Sequence, residues 1–180
     1  MLYYFLLLYF ALPAFFANMI PIVVAKINLW SGLNKPMDFE KTLFGKRIFG
    51  SHKTIRGLVS GTLIGALVTS IQYLLERGEI IKIPFLESYL EFLIYGLLAG
   101  FGALLGDAFF SFLKRQLNIQ SGRPFIPFDQ IDYILGFIGC TLIVVPWKWS
   151  ELLFLSVVVL VLNPLANLIS YLLHIKKTYW

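Results

Sequence analysis

The chain has 180 residues, 58% of them hydrophobic and only 14% charged, with a formal net charge of +5 and a mean hydropathy of +0.78. Soluble domains carry about 25% charged residues, so this composition excludes an ordinary water-soluble fold and requires lipid as solvent for much of the surface. The expected class is an all-α integral membrane protein: one transmembrane domain over residues 1–180, with no room for a separate soluble unit.

A hydrocarbon core of ~30 Å takes about 20 apolar residues per helix. Five stretches answer to that, at approximately 2–27, 57–75, 89–113, 132–147 and 152–175. The first lacks the positive flank of a secretory signal and reads as a membrane helix. It holds Pro13, Pro21 and the polar Asn18. Proline is tolerated in such a helix where neighbours satisfy the carbonyls it frees. Asn18 either lines a cavity or makes a helix–helix hydrogen bond, and the second is the commoner role.

Residues 28–56 form the least apolar part of the chain. Glycines at 45, 50 and 57 allow tight turns. Lys53, Thr54 and Arg56 stand where the second helix begins, and helix N-termini favour anions, so the segment reads as a phosphate cradle. It is not a Walker A loop, because Gly50 is followed by Ser51-His52. The plain alternative is a basic loop drawn to anionic headgroups. His52 reads as a polar loop residue, and the 76–88 loop carries no functional signal.

The third stretch holds Asp107, Ser111, Lys114 and Arg115 at i, i+4, i+7 and i+8, one face of a helix. Asp107 lies six residues before Leu113, ~9 Å inside the membrane at 1.5 Å per residue. An intramembrane acid is a functional-site candidate by default. The alternative is an ion pair with Lys114 or a loop arginine. A turn-rich link containing Pro124 and Pro127 follows, and Asp129-Gln130-Ile131-Asp132 opens the fourth helix. Asp129 fits the N-cap and Asp132 the first turn, on a face from which both reach toward Asp107. The last stretch is interrupted by Asn163-Pro164 and Asn167. Trp147, Trp149, Tyr179 and Trp180 read as interfacial anchors. Cys140, the only cysteine, reads as packing. The Gly57/Gly61/Gly65, Gly96/Gly100 and Gly102/Gly106 spacings predict close helix contacts.

Five crossings put the termini on opposite sides. Twelve of the 15 Lys and Arg then share the side holding the 28–56 loop, the 114–131 loop and the C-terminal tail. The positive-inside rule makes that side cytoplasmic and the N-terminus external. Every Asp falls on or near the same side, as a site for a hard divalent cation requires.

From Ser111-x-x-Lys114-Arg115 through Asp129-Gln130-Ile131-Asp132 the chain resembles the CTP-dependent phosphatidate cytidylyltransferases. Gln130 stands where that signature has Arg, and the linker is shorter. Both departures are similar to the archaeal branch, the CDP-archaeol synthases, as are Pro36-x-Asp38, Arg47-x-Phe49-Gly50, Lys53-Thr54-x-Arg56-Gly57 and Gly106-Asp107. The resemblance implies transfer of CMP from CTP to an unsaturated archaetidic acid, with release of pyrophosphate and dependence on Mg2+. It implies Asp107, Asp129 and Asp132 as metal ligands, and these three with Lys114 as the catalytic set. Lys53, Thr54, Arg56, Ser111, Lys114, Arg115, Arg123, Asp38 and Arg47 are implied to bind CTP and the lipid phosphate. The implied partners are CTP, a prenylated glycerol-phosphate lipid and the bilayer, with no nucleic acid. A homodimer is compatible with this picture. The expected location is the cell membrane, multi-pass, with the site facing the cytoplasm. Rival readings are a CTP-dependent polyprenol kinase, a small transporter using Asp107 on an ion path, and a non-catalytic scaffold. The scarcity of polar residues in the outer halves of the spans argues against the transporter.

Overall fold

A computed structural model describes residues 2–81, 86–120 and 123–172. Five α-helices make up most of it: α1 (Leu2–Lys26), α2 (Ile55–Arg77), α3 (Tyr89–Gln116), α4 (Phe128–Thr141) and α5 (Trp149–Leu172). Between α1 and α2 lie one turn of 3-10 helix, Ser31–Leu33, and a hairpin of β1 (Thr42–Leu43) with β2 (Lys46–Arg47). Lys82, Ser121, Gly122, His174, Lys176, Lys177, Tyr179 and Trp180 lie outside the described residues.

Four of the helices, α1, α2, α3 and α5, are long and apolar enough to cross a membrane. The fourth expected span is shorter than its sequence suggested. At 14 residues, α4 measures ~21 Å. It stops at Thr141 because Pro146 has no N–H and disfavours helical geometry in the residue before it. Residues 142–148 complete that stretch as a turn, with the amides of Val144 and Val145 bonded to the Thr141 carbonyl and the Trp147 indole to its hydroxyl.

Glycine seams bring α3 close to both neighbours. A Cβ at Gly65 would stand 3.0 Å from Gly100 Cα, and one at Gly102 would stand 2.6 Å from the Gly136 carbonyl oxygen. Of the expected rows, Gly61/Gly65 on α2 interlock with Gly96/Gly100, and Gly102/Gly106 with Gly136 of α4, whereas Gly57 faces Pro21 of α1 at ordinary contact distance. Gly136 is the partner the sequence did not reveal. Around the seams, Tyr95, Phe92, Phe137 and Ile134 are fully buried, and Phe10 stacks on Tyr95 at 4.2 Å.

Pro13 removes an N–H from α1 and so frees the Tyr9 carbonyl one turn earlier. Gln72, buried on α2, donates its side-chain amide to that carbonyl at 2.6 Å. Thr69, also buried on α2, bonds back to the Gly65 and Ala66 carbonyls. These two polar residues in the half of α2 away from the first loop are thus engaged with backbone. At the start of α3, Ser88 and Glu91 form a reciprocal capping box.

The 28–54 segment is ordered by three devices. Phe44 and Gly45 join the hairpin strands with φ of 52° and 76°, the geometry of a type I′ turn, which glycine favours. Asp38 is enclosed. Its Oδ1 accepts the Arg47 guanidinium at 2.7 Å and the Glu40 amide, and its Oδ2 accepts the Phe49 and Gly50 amides. Burial pushes its carboxyl up, but the Arg47 and backbone donors prevail and hold it at about 2. Finally, Lys46 Nζ donates to the Gln116 carbonyl at 2.7 Å, satisfying an orphan acceptor at the C-terminus of α3.

Candidate functional site

Lys53 owes its position to backbone pairing. The Met37 amide bonds the Lys53 carbonyl at 2.8 Å, and the Ile55 amide bonds the Lys35 carbonyl at 2.9 Å. Thr54 then caps α2, its hydroxyl accepting the Gly57 amide at 3.1 Å, as an N-cap residue does. From this anchorage Lys53 reaches α3 and pairs with Asp107 Oδ1 at 2.5 Å, both side chains being about a quarter exposed. The partner of Asp107 is therefore a loop lysine, not Lys114 or an arginine. Because α3 continues to Gln116, Asp107 sits nine residues, ~14 Å, from its end.

Lys114, two turns further on, is almost buried. Its Nζ spans the Asp129 carboxylate at 2.8 and 3.0 Å and the Arg123 carbonyl at 2.7 Å. Asp129 is the second residue of α4, not its N-cap, which is Pro127. The aspartate instead accepts the Phe125 amide at 2.8 Å, because the link folds back over the helix start. Asp132, one turn later and buried, accepts the Tyr133 amide and feels the charges of Asp107, Lys53 and Asp129.

These groups line one cavity of about 620 Å³, the size of a small-molecule site. Lys53, Thr54, Asp107, Ser111, Lys114, Arg115, Arg123, Asp129 and Asp132 all contribute to its wall. Three expected site residues do not. Asp38 and Arg47 are spent on each other inside the loop, which makes them its internal frame. Arg56 is buried, with its guanidinium 3.4 Å from the Asn28 side chain. Residue 56 is one helical step past the face of α2 that carries Thr54, Gly57 and Leu58 into the wall.

The wall also includes residues that the sequence reading left without a role there: His52, Gln130, Asn163 and Asn167, together with Asn18, for which a helix–helix bond was preferred. Asn163 Nδ2 donates to the Asp129 and Gln130 carbonyls at 3.3 and 3.1 Å, tying α5 to the first turn of α4. A signal was present: Asn163 and Asn167 are polar residues inside an apolar stretch at i, i+4, around a proline. Among the described residues, Arg115 Nε and Gln130 Oε1 are buried atoms without a hydrogen-bond partner. Such atoms are expensive to leave unmet.

The carboxylates suit a hard cation in donor type. Among the described residues, however, no three acidic, histidine or cysteine side chains stand as a ready-made metal cage, since Lys53 and Lys114 engage two of the three. Magnesium is normally held by one or two carboxylates, with phosphate and water filling its remaining positions. The donor set fits that mode.

A family profile described as CarS-like, CDP-archaeol synthase, matches residues 1–180. The CDP-archaeol synthase of Methanocaldococcus jannaschii is 33% identical over 175 residues, covering 96% of this chain and 95% of that one. The one from Methanopyrus kandleri is 34% identical over 177 residues (96% and 91% covered), and that of Pyrococcus abyssi 35% over 173 (96% and 95%). A solved structure described as an intramembrane enzyme for archaeal membrane lipids biosynthesis superposes with a TM-score of 0.71 at 30% identity, over 88% of this chain and 90% of that one.

Proposed function

The chain belongs to the CarS-like family of CDP-archaeol synthases and forms CDP-archaeol; from that premise we propose that it transfers CMP from CTP to the phosphate of unsaturated archaetidic acid, releasing pyrophosphate. The observation that carries the reading is the convergence of Lys53, Lys114, Arg115 and Arg123 with Asp107, Asp129 and Asp132 on one cavity. Such a wall suits a triphosphate and a divalent cation together.

A lipid phosphate oxygen attacks the α-phosphorus of CTP in line. A new P–O bond forms, the bond from the α-phosphorus to the oxygen bridging to the β-phosphate breaks, and pyrophosphate carries away the electron pair. The nucleophile is already anionic, so the protein need not remove a proton. Its work is positioning and charge neutralisation. The triphosphate competes with Asp107 and Asp129 for Lys53 and Lys114, and charge-assisted bonds to phosphate are strong. Each lysine drawn to phosphate frees a carboxylate, and Asp107 and Asp129, with Asp132 beside them, are the residues that would hold Mg2+. Bound there, the metal would neutralise phosphate charge. Ser111 offers a hydroxyl to the phosphates, while Arg115 Nε and Gln130 Oε1 gain in the ligand the partner that each lacks.

The distribution of basic residues supports a cytoplasmic site, with the N-terminus outside and α4 plus its following turn completing the fifth crossing. Purified protein given CTP, magnesium and the prenylated glycerol phosphate should release pyrophosphate. Asp107→Asn should abolish release while leaving the helical circular dichroism intact. Near-normal turnover in that variant overturns the role given to Asp107.

A further inference from the structure

Residues 27–44 lie outside the membrane helices, yet much of their surface is apolar. Ile27, Leu29, Trp30, Phe39, Leu43 and Phe44 are all at least 40% exposed, and Phe44, at the tip of the β1–β2 hairpin, is 85% exposed. Single exposed apolar residues are ordinary, but a run of them marks a surface that something covers. Three of these residues are also held against their backbone preference. Trp30, Phe39 and Phe44 have φ of 52°, 47° and 52°, the left-handed region, which a bulky side chain adopts only at a cost. Burial within the protein does not offset that cost, because all three rings stay exposed.

The depth of this surface follows from the helices it joins. Helix α3 has 28 residues, ~42 Å at 1.5 Å per residue, and a bilayer with its headgroups measures ~40–45 Å. The last residue of α3 therefore stands at the headgroup level. There the Gln116 carbonyl accepts Lys46 of β2 at 2.7 Å, which pins the hairpin at that depth. At the other end, Ile27 directly follows Lys26, the last residue of α1. The exposed charges along the segment are Lys26, Lys35 and Lys41 against Glu40, since Asp38 is enclosed with Arg47.

We propose that residues 27–44 lie in the headgroup layer of an anionic bilayer, with Phe44 and Phe39 inserted among the lipids and Lys35 and Lys41 on the headgroup charge. Lysine interleaved with Trp, Phe and Leu is the composition that seats a segment at the membrane interface, and basic juxtamembrane segments are drawn to anionic lipid. A protein partner fits less well, since lysine is depleted from the core of protein–protein interfaces. The same segment pairs through Lys35 and Met37 with residues 53–55, so the lipid contact braces the stretch that carries Lys53. The placement is independent of which reaction the cavity carries out.

A nitroxide label tests it by reading depth. Cys140 is the only cysteine, so in a Cys140→Ala background either Phe44→Cys or Phe39→Cys carries the label, in discs of anionic or of zwitterionic lipid. In anionic discs the label should collide more often with O2, which concentrates in hydrocarbon, than with a water-soluble nickel chelate. Lys41→Gln should shift the balance toward the nickel chelate by about fivefold, the worth of one lysine near an anionic surface, and should shift nothing in zwitterionic discs. Each variant is read where its helical circular dichroism matches wild type, and the two label positions report independently. A label open to the nickel chelate in every disc overturns the proposal. So does a label shielded from both reagents or coupled to that of a second copy, because protein and not lipid then covers the rings. A Lys41→Gln response that is absent, or the same in both lipids, overturns the role given to anionic headgroups.

Discussion

Gly106→Ala puts a single methyl group where α3 and α4 cross. Its Cβ would stand 2.9 Å from both the Cα and N of Gly136, and nearer still to the carbonyl oxygen of Asp132. Carbon contacts settle at ~3.5–4.0 Å, so the seam must open by ~0.6 Å or more, and the obstacles are backbone atoms that cannot rotate away. Overpacking of this kind costs about 1–3 kcal/mol. The atom pushed hardest belongs to Asp132, and Asp129 lies one turn before it on the same helix. A misplacement of ~1 Å in a catalytic constellation costs about 10²-fold. CMP transfer should therefore fall about 100-fold, while thermal unfolding in detergent registers a loss of ~1–3 kcal/mol. Gly139→Ala is the internal comparison: on α4, one turn after Gly136 and with nothing within 4 Å of its Cβ, it should be neutral or stabilising by ~0.5–1 kcal/mol. If both alanines behave alike, with turnover near wild type, α3 and α4 do not touch as described and Asp132 is not set by that contact.

Gln72→Leu leaves the Tyr9 carbonyl without its donor and should destabilise by ~1–3 kcal/mol in chemical denaturation; adding Pro13→Ala restores a backbone N–H and should recover part of the loss, whereas no recovery disproves the link. Asn163→Leu removes the donor shared by the Asp129 and Gln130 carbonyls and should slow transfer about tenfold, the effect of ~1.4 kcal/mol, an expectation that unchanged kcat contradicts. For Asp38 the folded value of about 2 lies below the ordinary 3.8, so its stabilisation is complete above about pH 4 and is lost as pH falls toward 2. Unfolding temperatures of wild type and Asp38→Asn should thus differ most above pH 4 and converge below pH 2; a constant gap across that range contradicts the assignment.

The i, i+4, i+7, i+8 spacing of Asp107, Ser111, Lys114 and Arg115 was enough to place all four on one wall, because a single helix carries them and helical periodicity needs no tertiary information. The same holds for the glycine rows, whose spacing announces close approach whatever the partner. Pairings between distant elements were less legible. That Asp107 meets Lys53 depends on how residues 35–37 pair with 53–55, and that Arg47 serves Asp38 depends on a hairpin of two-residue strands. Neither leaves a periodic trace. Pro146, which ends α4 early, was visible as a residue but was outweighed by the apolar run around it. Asn163 and Asn167 stood out as polar residues in a lipid-facing helix, yet their direction toward the cavity is set by the packing of α5 on α4, which the helix's own pattern does not contain.

The most direct test of CMP transfer is the fate of labelled phosphorus. With [α-32P]CTP, magnesium and the prenylated glycerol phosphate, the label should appear in the lipid product, with unlabelled pyrophosphate released in equal amount. Label that reaches the lipid from [γ-32P]CTP and not from the α position would mean a kinase, and would contradict the account.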